Sequence, residues 1–156
     1  PTIKCKASVI TINDWTIIHL PKSASSKLPS RGLVLVEGTI NGESFKHPFE
    51  PDGKGSHWWQ PDDTFLKKIG TKSGDKVTME FDSSKDWPEP TIPKDIKTAL
   101  ESDKKAMELW LDCTPKAHWE WIRWIRSTKN PDTRKIRIDK TKSKLKSGKA
   151  NPAAST

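Results

Sequence analysis

Hydrophobic and polar residues alternate along the first half of the chain with the period of β-strands. In IKCKASVIT every second side chain is apolar, which is typical of a half-buried strand. The same pattern recurs in ESFKHPF and KVTMEFD, and LVLVEGTI is a strongly apolar run. Asn41 and Gly42 tolerate positive φ, so their position between two runs predicts a hairpin. One short helix is predicted in DDTFLKKIG, where acids begin the helix and Gly70 ends it.

The pattern changes to a helical period in the second half. Three prolines in DWPEPTIP predict a stiff, extended connector, because proline fixes its own φ and restricts the preceding residue. Helical stretches follow at 94–100, 103–111, 116–128 and 130–148. The patterns therefore predict a β domain over 1–85, a connector over 86–93, a helical region over 94–148 and a disordered tail over 149–156.

Positive charge is concentrated in the helical region. The formal net charge is +8, yet residues 114–149 hold twelve lysines and arginines against three acidic residues. Such asymmetry can mark an anionic partner, but a solvated basic helix and tail is the simpler interpretation. Eight tryptophans and four phenylalanines provide enough large apolar surface for a real core, which excludes a fully disordered chain.

The sequence gives no sign of a membrane span, a secretory leader or a metal site. No apolar stretch is long enough to cross a bilayer, and PTIKCKASVI lacks the apolar core of a signal peptide. Cys5 and Cys113 are far apart, and no histidine lies at metal-ligand spacing from a cysteine or another histidine. We therefore expect a cytoplasmic protein with free thiols and no cofactor, either monomeric or homodimeric.

Two sets of motifs carry a family resemblance. The run TINGESFKHPFEPDGKGSHWWQPDDTFLKKIGTKSGDKVTMEF resembles a bacterial and archaeal barrel domain of unknown function, of the DUF1905 type. The motifs that follow resemble the YdeI/OmpD-associated region, and they lie at Trp124-Ile125, Thr133-Arg134, Arg137-Ile138, Leu145 and Gly148.

The resemblance implies an α+β fold: a small double-split β-barrel of the AbrB/MazE type with one short helix, then a helical segment. The G...GD.V turn of such barrels is present from Gly70 to Val77. Because AbrB/MazE proteins bind DNA, the resemblance also raises nucleic acid as a partner. It brings no catalytic residue set, and the YdeI name carries only a proposed link to bacteriocin protection.

The loop from Gly53 to His57 is the first candidate site. Two glycines, Lys54 and His57 lie beside Trp58 and Trp59, and the loop amides together with the Lys54 and His57 side chains would suit an anion. The alternative is a flexible loop between strands.

The stretch HWEWIRWIR, from His118 to Arg126, is the second candidate. On a helical wheel Trp121, Ile122 and Ile125 share one face, which predicts a core stripe. Trp119 falls on the opposite, basic side together with two arginines. The predicted ligand-binding residues are Lys54, His57, Trp59, Trp119, Arg123, Arg126 and Arg134.

Three functional hypotheses follow. The first is a non-enzymatic binding or stress-protection module that contacts an anionic ligand or protein through its basic helices. The second is a nucleic-acid-binding protein that uses the same basic segment, although aromatic residues for base stacking are absent after Trp124. The third, and least favoured, is an enzyme of unrecognised type, since no nucleophile and base occur in a known catalytic context.

Overall fold

A computed structural model describes residues 2–152 and divides the chain into two units between Asp86 and Trp87. The first unit is a closed barrel in which all neighbouring strands are antiparallel, in the order β1-β2-β5-β4-β3-β6. Its strands are β1 (Ile3–Ile12), β2 (Trp15–His19), β3 (Val34–Ile40), β4 (Glu43–Pro51), β5 (His57–Trp59) and β6 (Lys76–Ser83).

The alternating residues of the strands fill the barrel. In β6, Val77, Met79 and Phe81 are buried while their neighbours are exposed, as the period of two predicts. Gly38 in β3 permits the close approach of β6. A Cβ atom on Gly38 would lie 2.0 Å from the Glu80 carbonyl oxygen and 2.6 Å from the Phe81 Cα atom.

Two short helices accompany the barrel: α1 (Lys22–Ser25) and α2 (Asp63–Ile69). The predicted helix is α2, which Asp62 caps by accepting a hydrogen bond from the Phe65 amide and which ends at Gly70 in the left-handed conformation. Helix α1 lies in a segment that the sequence predicts as a loop. It is a single turn, too short to produce a helical period.

The second unit consists of α3 (Lys94–Glu101), α4 (Lys104–Leu111), α5 (Pro115–Arg126) and α6 (Pro131–Lys146). Asp103, Thr114 and Asn130 cap the last three of these helices through their side chains, and proline occupies the first turn of α5 and α6. A separate hydrophobic core forms around Trp110 and Trp121. None of the helices within residues 2–152 is long and apolar enough to cross a membrane.

The α+β architecture is confirmed, with the barrel first and the helices after it. The Asn41-Gly42 turn joins β3 to β4 as predicted, with both residues at positive φ. Residues 149–152 of the predicted disordered tail contact the helices: the Ala150 carbonyl accepts a hydrogen bond from the Trp121 indole at 3.1 Å. Residues 153–156 of that tail lie outside the described part of the chain.

Candidate binding sites

The glycine-containing loop after β4 is organised by Asp52. Its Oδ1 atom accepts hydrogen bonds from the amides of Lys54 at 2.7 Å and Ser56 at 3.0 Å, and its Oδ2 atom accepts one from His19 Nε2 at 2.9 Å. Burial opposes ionisation of Asp52, but these hydrogen bonds outweigh it and lower the pKa of Asp52 to about 2. Two amides of the loop therefore already bind a carboxylate of the protein, while the Lys54 side chain is exposed.

His57 is built into the barrel wall. Its Nε2 donates to the Gly32 carbonyl oxygen at 2.8 Å, so in the neutral ring Nδ1 accepts the hydrogen bond from the Ser25 hydroxyl. Burial and the nearby charge of Arg31 lower the pKa of His57, which favours the neutral ring. A serine hydroxyl that is hydrogen-bonded to a histidine ring is also the arrangement of a catalytic nucleophile and its base. Here both residues are buried, so a substrate cannot reach the Ser25 hydroxyl.

Trp59 lies in the barrel core. Its ring stacks on Phe45 with centroids 5.6 Å apart and on His47 at 5.0 Å, and the residue is 8% exposed. The structure therefore places Trp59, predicted as a ligand-binding residue, among the aromatic residues of the barrel core.

Helix α5 divides as the helical wheel predicts. Trp121, Ile122 and Ile125 are buried in the core of the helical unit, Arg126 is exposed and Arg123 is half-buried. The core interpretation of the apolar stripe is confirmed.

The N-terminal half of α5 holds the proline-rich connector. The Trp119 indole donates to the Pro88 carbonyl oxygen at 2.6 Å, and His118 Nδ1 lies 2.9 Å from the Glu89 carboxylate. On its other side the His118 ring stacks on Trp110, with centroids 4.5 Å apart. Because Trp119 lies on the side of the helix opposite the core stripe, its large ring needs another partner. The backbone of the connector is one such partner.

The cations of α6 are largely engaged within the helical unit. Arg137 donates to the Trp124 carbonyl oxygen at 2.8 Å and lies over the Trp124 ring, and Lys144 lies over the same ring at 5.1 Å. Lys146 pairs with Asp103 at 2.7 Å. Most of these cations therefore stabilise the packing of α6 within its own unit, and composition alone does not reveal these contacts.

Arg134 forms a two-pronged ion pair with Asp95 in α3: Nε donates to Oδ2 at 2.7 Å and an Nη atom donates to Oδ1 at 3.0 Å. The hydrogen bond and the charge of Arg134 lower the pKa of Asp95, and the same hydrogen bond raises the pKa of Arg134. The ion pair of Arg134, one of the predicted ligand-binding residues, therefore links α3 to α6.

A groove of about 740 Å³ runs between α3 and α6, beside this ion pair. Ala99, Pro131 and Ile138 are its apolar lining, and Lys94 and Lys135 are its unpaired cations: neither lysine side chain has an ion pair or hydrogen bond within residues 2–152. The sequence does not identify either lysine as a candidate binding residue, because the two lie on separate helices that come together only in the fold.

The cysteines provide little support for enzymatic chemistry. Both Cys5 and Cys113 are free thiols, and burial raises the pKa of each, which makes the reactive thiolate scarce at neutral pH. The Cys113 thiol also donates to the Leu109 carbonyl oxygen at 3.3 Å, in the manner of a structural residue.

Comparison with known families gives two matches in chain order. A family described as "Domain of unknown function (DUF1905)" matches residues 5–81, which span most of the barrel. A family described as "Bacteriocin-protection, YdeI or OmpD-Associated" matches residues 89–148, which contain the four helices of the second unit. A search of curated proteins found no match.

Proposed function

We propose that this chain, whose barrel matches the DUF1905 family and whose helices match the YdeI/OmpD-associated family, is a non-enzymatic binding module. Its partner is an acidic, amphipathic segment of another protein, which docks between α3 and α6. The observation that carries the proposal is the groove of about 740 Å³ with an apolar lining and two unpaired lysines. The word "bacteriocin-protection" in the second family's description suggests a protective setting for such binding.

The lining of the groove supports a partner with both apolar and acidic side chains. Apolar contact would come from Ala99 and Ile138, and Ile136 on the adjoining solvent face of α6 is 53% exposed. Lys94 and Lys135 would meet carboxylates, because the other charged groups of the groove are already paired: Asp95 with Arg134, and Asp139 with Lys142 at 4.0 Å. A helix that places apolar residues in a groove and charges on its rim is a common recognition mode.

Nucleic acid is the second candidate. Lys135 and Lys140 are exposed on α6 and have no side-chain partner within residues 2–152, so phosphate contacts are sterically open to them. Base stacking has less support, since Trp121 is buried, Trp124 lies beneath two cations and the Trp119 indole contacts the connector. These contacts favour a protein partner.

A calorimetric titration tests the proposal. The probe is a synthetic helical peptide of Glu, Ala and Leu with an acidic and an apolar face. Lys94→Glu and Lys135→Glu should each weaken its binding about fivefold or more, because each replaces an attraction with a repulsion worth about 1 kcal/mol. Lys105→Glu is the matched control: it makes the same change of charge on exposed α4 surface outside the groove.

The same titration separates the candidates. An all-polar acidic peptide should bind more weakly than the amphipathic one, because it cannot bury apolar surface against Ile138. Equal loss of binding in all three variants would reject the groove. Tighter binding of duplex or single-stranded DNA, with a steep dependence on salt, would favour the second candidate instead.

A further inference from the structure

A second cavity lies in the barrel unit, and its lining includes none of the residues that the proposed function uses. It has a volume of about 280 Å³, and its lining consists of Arg31, Pro51, Gly53, Gly55, Ser56 and His57. Arg31 is the only group in this lining that carries a full charge, because the lowered pKa of His57 favours its neutral ring. The cavity therefore has a positive wall and no acidic residue in its lining.

Arg31 is held in place by backbone carbonyls. One of its terminal nitrogens, Nη2, donates to the carbonyl oxygens of Ser25 and Leu28, the latter at 3.0 Å. Its Nε and Nη1 groups make no hydrogen bond within residues 2–152. A guanidinium that is fixed by carbonyls and still has unused donors is well suited to an oxyanion, because carboxylates and phosphates accept two parallel hydrogen bonds.

Ser56 adds a hydroxyl donor to the cavity. The residue is 3% exposed, and its backbone is fully used: its amide donates to Asp52 Oδ1 and its carbonyl oxygen accepts from the Asp52 amide at 2.9 Å. Its hydroxyl, in contrast, has no hydrogen-bond partner within residues 2–152. No buried side-chain nitrogen or oxygen within residues 2–152 lacks a hydrogen-bond partner, so solvent reaches this hydroxyl and a polar group that enters the cavity can replace that water.

The two glycines in the lining adopt a backbone conformation that other residues rarely take. Gly53 and Gly55 have φ angles of +76° and +93°, and a Cβ atom on either would be strained. Their amides make no hydrogen bond within the described residues, unlike those of Lys54 and Ser56, which bind Asp52. Asp52 itself does not line the cavity. The carboxylate of Asp52 accepts hydrogen bonds from His19 and from the amides of Lys54 and Ser56.

We propose that this cavity binds the oxyanion of a small molecule, a carboxylate or a phosphate group. Arg31 supplies the charge and the two-pronged hydrogen bond, and the Ser56 hydroxyl supplies a further donor. His57 keeps the wall rigid, since both of its nitrogens are engaged with Ser25 and Gly32. The cavity volume of about 280 Å³ is just below the range of ligand pockets, about 300–1,000 Å³, so the ligand is small.

Titration of the full chain with inorganic phosphate, and separately with acetate, tests this site by NMR. The amide signals of Gly53, Gly55 and Ser56 should shift and saturate with at least one probe, and the probe that binds more tightly identifies the class of oxyanion. Arg31→Met should weaken binding at least tenfold and Ser56→Ala about threefold or more. Lys27→Ala, which removes an exposed charge outside the cavity, should leave the affinity unchanged.

Ser56→Ala keeps the test decisive if Arg31→Met disturbs the segment around α1, because the alanine removes only the unpaired hydroxyl. The proposal is overturned if neither probe shifts these amides, or if Ser56→Ala binds as tightly as the unmodified chain. It is also overturned if Lys27→Ala weakens binding as much as Arg31→Met, which would indicate screening of surface charge. The groove between α3 and α6 lies in the other unit, so its titration succeeds or fails independently.

Discussion

At the scale of single residues, hydrogen bonds to a few side chains fix the conformation of loops that have no regular secondary structure. Asp52 is the clearest case, because one carboxylate joins His19 to the amides of Lys54 and Ser56. The sequence indicates a glycine-containing loop here, but the partner at position 19 is 33 residues away and no local pattern reveals it. An inference from sequence therefore finds the candidate anion loop and misses the internal carboxylate that organises it.

The lowered pKa of Asp52 predicts a transition at acid pH. Because the folded-state pKa of about 2 lies below the ordinary value of 3.8, the stabilising effect of this carboxylate is complete above pH 3.8 and disappears as the pH falls through 2. The amide proton shifts of Lys54 and Ser56 should titrate together with a midpoint near 2. Asp52→Asn should abolish that titration, and identical curves for both proteins would show that another group is responsible.

At the scale of elements, apolar periodicity predicts the strands well because burial on one face fixes their register. It does not predict the placement of α6, whose buried residues are only Ile138, Thr141 and Leu145. Ion pairs at both ends of α6 complete its attachment: Arg134 reaches Asp95, 39 residues away, and Lys146 reaches Asp103, 43 residues away. Partners so distant in sequence appear only once the helices are assembled.

A double-mutant cycle tests the role of these ion pairs. Arg134→Ala and Asp95→Ala should each lower the free energy of unfolding by about 1 kcal/mol, and the double variant should lose less than the sum, because the two side chains share one interaction. Denaturant unfolding followed by helix content is the measurement. Strict additivity would mean that the pair contributes nothing to the attachment of α6.

Gly38 gives a sharper prediction for the barrel. Gly38→Ala should lower the free energy of unfolding by at least about 2 kcal/mol, because the new methyl group would overlap the backbone of β6. Backbone atoms in a paired strand cannot shift aside as the end of a flexible side chain can. Gly32→Ala is the matched control: its nearest new contact is a side-chain oxygen at 3.5 Å, an ordinary van der Waals distance. Thermal unfolding of both variants decides the question, and equal stability would contradict the close approach of β3 and β6.

At the scale of the whole molecule, the uneven charge takes on a different meaning in the folded chain. The net charge of +8 first indicates a basic surface for an anionic partner. In the structure, Arg134, Arg137, Lys144 and Lys146 all contact groups within the helical unit. Two of the lysines that remain unpaired, Lys94 and Lys135, lie beside the apolar lining of the α3–α6 groove, which supports the proposed docking site.

Mapping the bound peptide on the full chain by NMR tests the docking site most directly. With the amphipathic acidic peptide, the account predicts saturating shifts of backbone amides that line the α3–α6 groove, such as those of Thr98, Ala99, Ser102 and Ile138. The amide signals of the barrel should not shift. Lys135→Glu should suppress the shifts of the groove amides, and Lys105→Glu should leave them unchanged. Shifts confined to other surfaces, or no shifts at a saturating peptide concentration, would contradict the proposal that this groove is the binding site.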